Sequence, residues 1–151
     1  MRSVKSYVAA GLLLLAGTVV AAQDKISTPE ELDKTMKAVN AANGAMRKAI
    51  GSGAFADAKT AAAELKKQIT IAETFWVHHK KDDAVKMNQT TIAKITALET
   101  ALGASTPDAA AVQGAQKELG GTCTACHQQY RVQNPDGVGY MIKPGTIGGG
   151  W

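Results

Sequence analysis

The 151-residue chain contains only two cysteines, Cys123 and Cys126, three positions apart. So few, so close together, exclude the multi-bridge framework that staples small secreted domains. Long apolar runs are missing too. The longest, Val8 to Val20, falls short of the roughly 20 residues that a membrane-spanning helix needs. No block of like charge stands out among 17 Lys and Arg and 13 Asp and Glu, which argues against nucleic acid or an acidic membrane surface as a partner. No stretch alternates convincingly as a strand. No nucleophile with a base, and no pair of carboxylates, emerges as a catalytic constellation, so the chain is not expected to be an enzyme.

What is present begins with a label. Arg2 and Lys5 precede the apolar run, and the small residues Ala21 and Ala22 follow it, the pattern of a secretory signal peptide cleaved after Ala22. Cleavage removes two of the 17 basic residues and leaves 15 against 13 acidic ones, a surplus of two. The mature chain is expected in the periplasm, with no stable membrane anchor. With 45% apolar residues it can bury one core and make one domain.

Four segments after Gln23 carry helical signatures. Thr28-Pro29-Glu30-Glu31 is a start signal, with Thr28 as N-cap, Pro29 at the first helical position and Glu31 closing a capping box. Leu32, Met36, Val39, Met46 and Ile50 then recur on one stripe, which Asn43 interrupts, until Gly51-Ser52-Gly53. Phe55, Ala58, Ala62, Leu65, Ile69, Ala72, Trp76 and His79 alternate spacings of three and four, as in a helix packed in a bundle. Asp83 caps a third segment with Val85, Asn88, Ile92, Ile95 and Leu102 on its stripe, closed by Gly103. Ser105-Thr106-Pro107-Asp108 repeats the start signal for a fourth helix, which carries Val112, Gln116, Leu119, Cys123 and Tyr130 and ends near Arg131. Four such helices with short connections predict an all-α, antiparallel up-down-up-down four-helix bundle over residues 23–131. Residues 132–151, "VQNPDGVGYMIKPGTIGGGW", are rich in glycine and read as a mobile tail.

The stretch "GGTCTACHQQYR" at 120–131 can now be judged in place. A disulfide between Cys123 and Cys126 would close a tiny loop inside one helix and constrain little. Zinc needs about four ligands, and the other histidines, His78 and His79, are neighbours on another helix. A thiol oxidoreductase normally sets C-x-x-C in a βαβ context, which is missing here. Cysteines followed at once by histidine fit one covalent haem c, with thioethers on both sulfurs and an axial nitrogen from His127.

A haem motif closing the last helix, "CTACHQQYR" with Arg131 four residues beyond the histidine, and "MKAVNAANGAM" in the first helix make residues 27 to 131 resemble the class II c-type cytochromes, the cytochrome c′ family and its low-spin relatives. The resemblance implies haem held between the helices near one end of a bundle that often forms a homodimer. It assigns Cys123 and Cys126 to haem attachment, His127 to the proximal position and Arg131 to the neighbourhood of the proximal face. Arg131 would also suit a helix C-terminus simply as a cation.

Met36 stands seven residues into the first helix, about 10 Å along it, and eight before Gly44. That matches the place where the family puts its distal side chain, which is methionine bound to iron in the low-spin relatives. Met46, about 15 Å further along, is expected in the core. Met87, His79 and Met141 are weaker rivals: His79 suits a half-exposed corner, and Met141 would require the tail to fold back over the pocket. Trp76 suits a haem edge or face and, nearly as well, plain core.

Two functions follow. Bound Met36 would complete the iron and make a carrier of single electrons between periplasmic redox proteins. An open iron would make a module that binds small gases such as nitric oxide or carbon monoxide.

Overall fold

The computed structural model describes residues 25–148. The expected signal peptide, residues 1–22, lies outside the described residues. Four helices follow one another: α1 (Pro29–Gly51), α2 (Phe55–His78), α3 (Asp82–Leu102) and α4 (Ala109–Tyr130). Each packs along its predecessor, and α4 meets α1 only lightly. This is the four-helix bundle that the periodicity predicts.

α1 starts as its sequence dictates. The Glu31 amide donates to Thr28 Oγ1 at 3.2 Å, while Glu31 Oε2 accepts from the Ser27 and Thr28 amides at 2.8 and 3.0 Å. Those amides, Ser27 first, hold the Glu31 carboxyl below its ordinary range. The other starts shift from their expected residues. At α3 the cap is Lys81, and Asp83, the expected cap, lies inside the first turn with its Oδ1 on the Ala84 amide at 3.0 Å. The corner before it is tight enough to put Lys80 at φ 53. At α4, Asp108 is the cap and accepts from the Ala111 amide at 2.8 Å, leaving Pro107 outside the helix.

The stripes meet in two clusters. At one end Met46, Ala58, Ala62, Ile95, Leu98 and Val112 are fully buried. At the other, Leu32, Phe75, Trp76, Ala84 and Tyr130 pack together, with Met36, Met87 and Cys126 partly buried against them. The α2 stripe is buried from Ala58 to Trp76 and opens at Phe55 and His79.

Residues 132–151 were expected as a Gly-rich mobile tail; the structure describes them as far as 148 and shows two short strands among them. β1 (Arg131–Gln133) and β2 (Tyr140–Ile142) form an antiparallel hairpin that pairs Arg131 with Ile142, Val132 with Met141 and Gln133 with Tyr140. The glycines that suggested an irregular tail supply its turn: Gly137 and Gly139 both sit at φ 75, a left-handed conformation that costs glycine little. Asn134 and Asp136 side chains satisfy the Val138 carbonyl and amide at 2.6 and 2.8 Å. The following chain is fastened as well. The Lys143 amide donates to the Tyr130 carbonyl at 2.8 Å, and Ile147 is buried in the second cluster.

Candidate functional site

Along α4 the buried residues are Val112, Leu119 and Tyr130, with none between Leu119 and Tyr130. The facing positions in that gap are Cys123, Cys126 and His127, all half-buried, in a run otherwise made of small or polar residues. α1 and α2 keep large apolar side chains at this level while α3 presents Ala84, Asn88 and Thr91, so the missing side-chain volume on α4 and α3 leaves a cavity of about 850 Å³. That size lies within the roughly 300–1,000 Å³ of ordinary cofactor sites.

Five elements wall it. α4 contributes Cys123, Cys126, His127 and Tyr130; α1 contributes Met36, Val39, Asn40 and Asn43; α2 contributes Leu65, Ile69 and Trp76; α3 contributes Asn88 and Thr91. Arg131, Gly139, Tyr140, Met141 and Ile142 complete it from the hairpin. All six residues singled out in the sequence as cofactor or metal contacts, Cys123, Cys126, His127, Arg131, Trp76 and Met36, therefore line one cavity.

The rivals separate by position. Met46 is fully buried in the opposite cluster, and Met87 packs in the near cluster without lining the cavity. His79 is engaged elsewhere, its Nε2 2.9 Å from the Ser27 carbonyl oxygen and its ring against Phe75. Met141 does line the cavity, because the chain after α4 returns as a strand. Asn43, which interrupts the α1 stripe, also lines it.

The electrostatics suit a neutral donor set. Both cysteines are free thiols. Burial pushes the Cys123 thiol up, and burial followed by the neighbouring Cys123 pushes Cys126 up to about 11. These thiols stay protonated at neutral pH, unlike the low-pKa thiolate of a redox dithiol. Burial first, and the Arg131 charge second, lower the His127 pKa and favour the neutral imidazole that ligates a metal. Among the described residues no group of three or more His, Cys, Asp or Glu side chains is disposed around a metal ion. A planar cofactor anchored through sulfur and one imidazole nitrogen fits this donor set better than a bare cation does.

Polar and aromatic groups finish the walls. Asn88 donates to the Ala84 carbonyl at 3.0 Å, and Thr91 donates to the Met87 carbonyl and reaches Thr122 Oγ1, each at 3.0 Å. Trp76 packs on Tyr130 with ring centroids 5.0 Å apart. Tyr130 lies beside Asp83: burial and that carboxylate raise the phenol pKa, and the phenol in turn holds Asp83 below its ordinary range. The Arg131 guanidinium lies 4.0 Å from the Tyr140 ring centroid.

Sequence reasoning missed Thr91 and the hairpin wall. Asn88 stood on an apolar stripe as a polar exception, which was a usable signal. The triplet Tyr140-Met141-Ile142 amid glycines was a fainter one.

A family model described as cytochrome c′ matches residues 72–131, from the last two turns of α2 through Arg131. No curated protein and no solved structure matches the chain. The matched segment holds Trp76, the whole C-x-x-C-H motif and Arg131, while Met36 and the rest of the hairpin lie outside it. The motif at the end of the fourth helix of a bundle and the family match over residues 72–131 agree, and together they support assignment to the class II c-type cytochromes, the cytochrome c′ family.

Proposed function

We propose that the chain is an exported, periplasmic mono-haem c-type cytochrome that carries single electrons between redox proteins, and that it is a carrier, not an enzyme. The observation that carries this reading is the meeting of Cys123, Cys126 and His127 from α4 with Met36 from α1 around one cavity. Haem held covalently there would supply a one-electron iron couple.

The chain's own residues divide the work. Cys123 and Cys126, one turn apart, fix the porphyrin through two thioethers. His127, neutral and half-buried, offers a ring nitrogen to iron. Met36 would offer a thioether sulfur, which would leave the iron no open site for substrate. Leu65, Ile69 and Trp76 give the cavity an apolar wall that excludes water. Low dielectric there favours the reduced iron, which carries one positive charge fewer.

A second reading, binding of a small neutral gas such as nitric oxide or carbon monoxide, is favoured by the amides of Asn40, Asn43 and Asn88 on the same walls. They offer hydrogen bonds that an electron carrier does not need. One experiment separates the two: visible to near-infrared absorption of the haem-loaded protein in both oxidation states, with carbon monoxide added to the reduced form. Electron carriage by a Met36-ligated iron predicts a low-spin spectrum with a methionine-to-iron charge-transfer band, lost in Met36→Ala, and no response to the gas. A high-spin spectrum that shifts with carbon monoxide would make gas binding the function.

A further inference from the structure

Apart from Arg131 the hairpin lies beyond the segment matched by the family, yet four residues of that remainder, Gly139 to Ile142, line the cavity. We infer that it is a structural wall of the haem site and that Tyr140 is a positioning residue that holds the Arg131 guanidinium beside the cavity. This inference rests on the haem reading above and concerns residues that the haem motif does not include.

Three observations carry it. The returning strand is fastened to the turn that bears His127: the Lys143 amide donates to the Tyr130 carbonyl at 2.8 Å, and Lys143 Nζ donates to the Gln128 carbonyl at 2.7 Å. It is also anchored in the second core cluster, where Ile147 is buried and against which Ile142 packs, as Met36 and Cys126 do. Thirdly, Arg131 forms no salt bridge among the described residues, and its guanidinium lies over Tyr140, a ring left 55% exposed.

An aromatic ring so exposed gains little from burial, so its placement is explained by the cation on its face. The register supports this, since Arg131 and Tyr140 are diagonal neighbours on one face of the hairpin, across the Arg131–Ile142 and Gln133–Tyr140 pairs. A long side chain that would otherwise sweep through water is thereby kept against the cavity. Its positive charge favours the reduced iron, and the hairpin's cover, by keeping water away, acts in the same direction.

The test uses the full mature chain loaded with haem, with two readouts: the midpoint potential, and the rate of tryptic cleavage of the Arg131–Val132 bond. Tyr140→Ala is expected to lower the potential and to speed that cleavage about tenfold, as the hairpin opens more often. Tyr140→Phe is expected to leave both unchanged, because the ring face and not the hydroxyl holds the guanidinium. Removal of residues 134–151 should lower the potential further. If that shortened chain fails to fold, the Tyr140 pair decides alone. A wild-type potential in Tyr140→Ala overturns the inference, and so does a Tyr140→Phe protein that behaves like Tyr140→Ala. A wild-type chain that acquires no haem overturns the haem reading itself, an outcome distinguished by the missing haem absorption.

Discussion

The two ends of the bundle are built from the same four helices and differ in what two of them, α3 and α4, bring to the core. At the closed end Met46, Ile95, Leu98 and Val112 interlock with no solvent exposure. At the other end Met36, Cys126 and His127 stand half-buried around a cavity of about 850 Å³. α1 and α2 carry large apolar side chains into both halves. α4 changes from Val112 and Leu119 to the small and polar run Gly120 to Ala125, and α3 from Ile95, Leu98 and Leu102 to Ala84, Asn88 and Thr91, so the contrast lies in side-chain volume and not in helix geometry. The cavity is a core from which two contributors are withdrawn.

The largest test of that contrast is truncation at each end. Leu98→Ala should cost about 2–5 kcal/mol in denaturant unfolding, since a tightly packed end cannot collapse around the void. Val39→Ala, on the cavity wall, should cost about 1 kcal/mol or less, because only part of its surface is removed from water. Equal costs would mean that both ends are packed alike.

A smaller effect is expected at the start of α1, which stands at the cavity end. Thr28→Ala removes half of the capping box and should lower stability by about 1 kcal/mol. Thermal unfolding that shows no change would mean that the helix start at this end is already frayed.

The smallest effect concerns pH. Asp83 has its folded pKa held down by the Tyr130 hydroxyl. Its contribution is therefore present above the unfolded value of about 4 and lost as pH falls through the lower folded value. Tyr130 is shifted upward, so its contribution is present below about pH 10 and lost as pH rises beyond it. Asp83→Asn should shallow the acid limb of the stability curve, and Tyr130→Phe should shallow both limbs. An unchanged acid limb in Asp83→Asn would remove this pair from the cavity end's pH dependence.

Much of this was legible because helices are local. The capping box at Thr28 and Glu31 and the unbroken three-four spacing from Ala58 to Trp76 need only neighbours in the chain to be read. The hairpin was not legible: strands of three residues are too short to display alternation, and their pairing with each other and with Tyr130 is not encoded in spacing. The surroundings of Asn43 were not legible for a related reason. Its position on the helix was evident, but whether that face met water or a cavity depended on how small the residues of α4 were.

By itself the sequence determined four amphipathic helices, where most of them begin and end, and the placement of two thiols and an imidazole on one helical face near the end of the last. These follow from backbone hydrogen bonding and the 3.6-residue repeat, which act over a few positions. Only the tertiary structure decided that Met36 shares a cavity with that face, that Met87 and His79 do not line it, and that the glycine-rich segment returns to wall it with Tyr140 and Met141. Those outcomes depend on which surfaces remain unfilled when helices pack. Unfilled volume is a property of all the elements together and is written in no one of them.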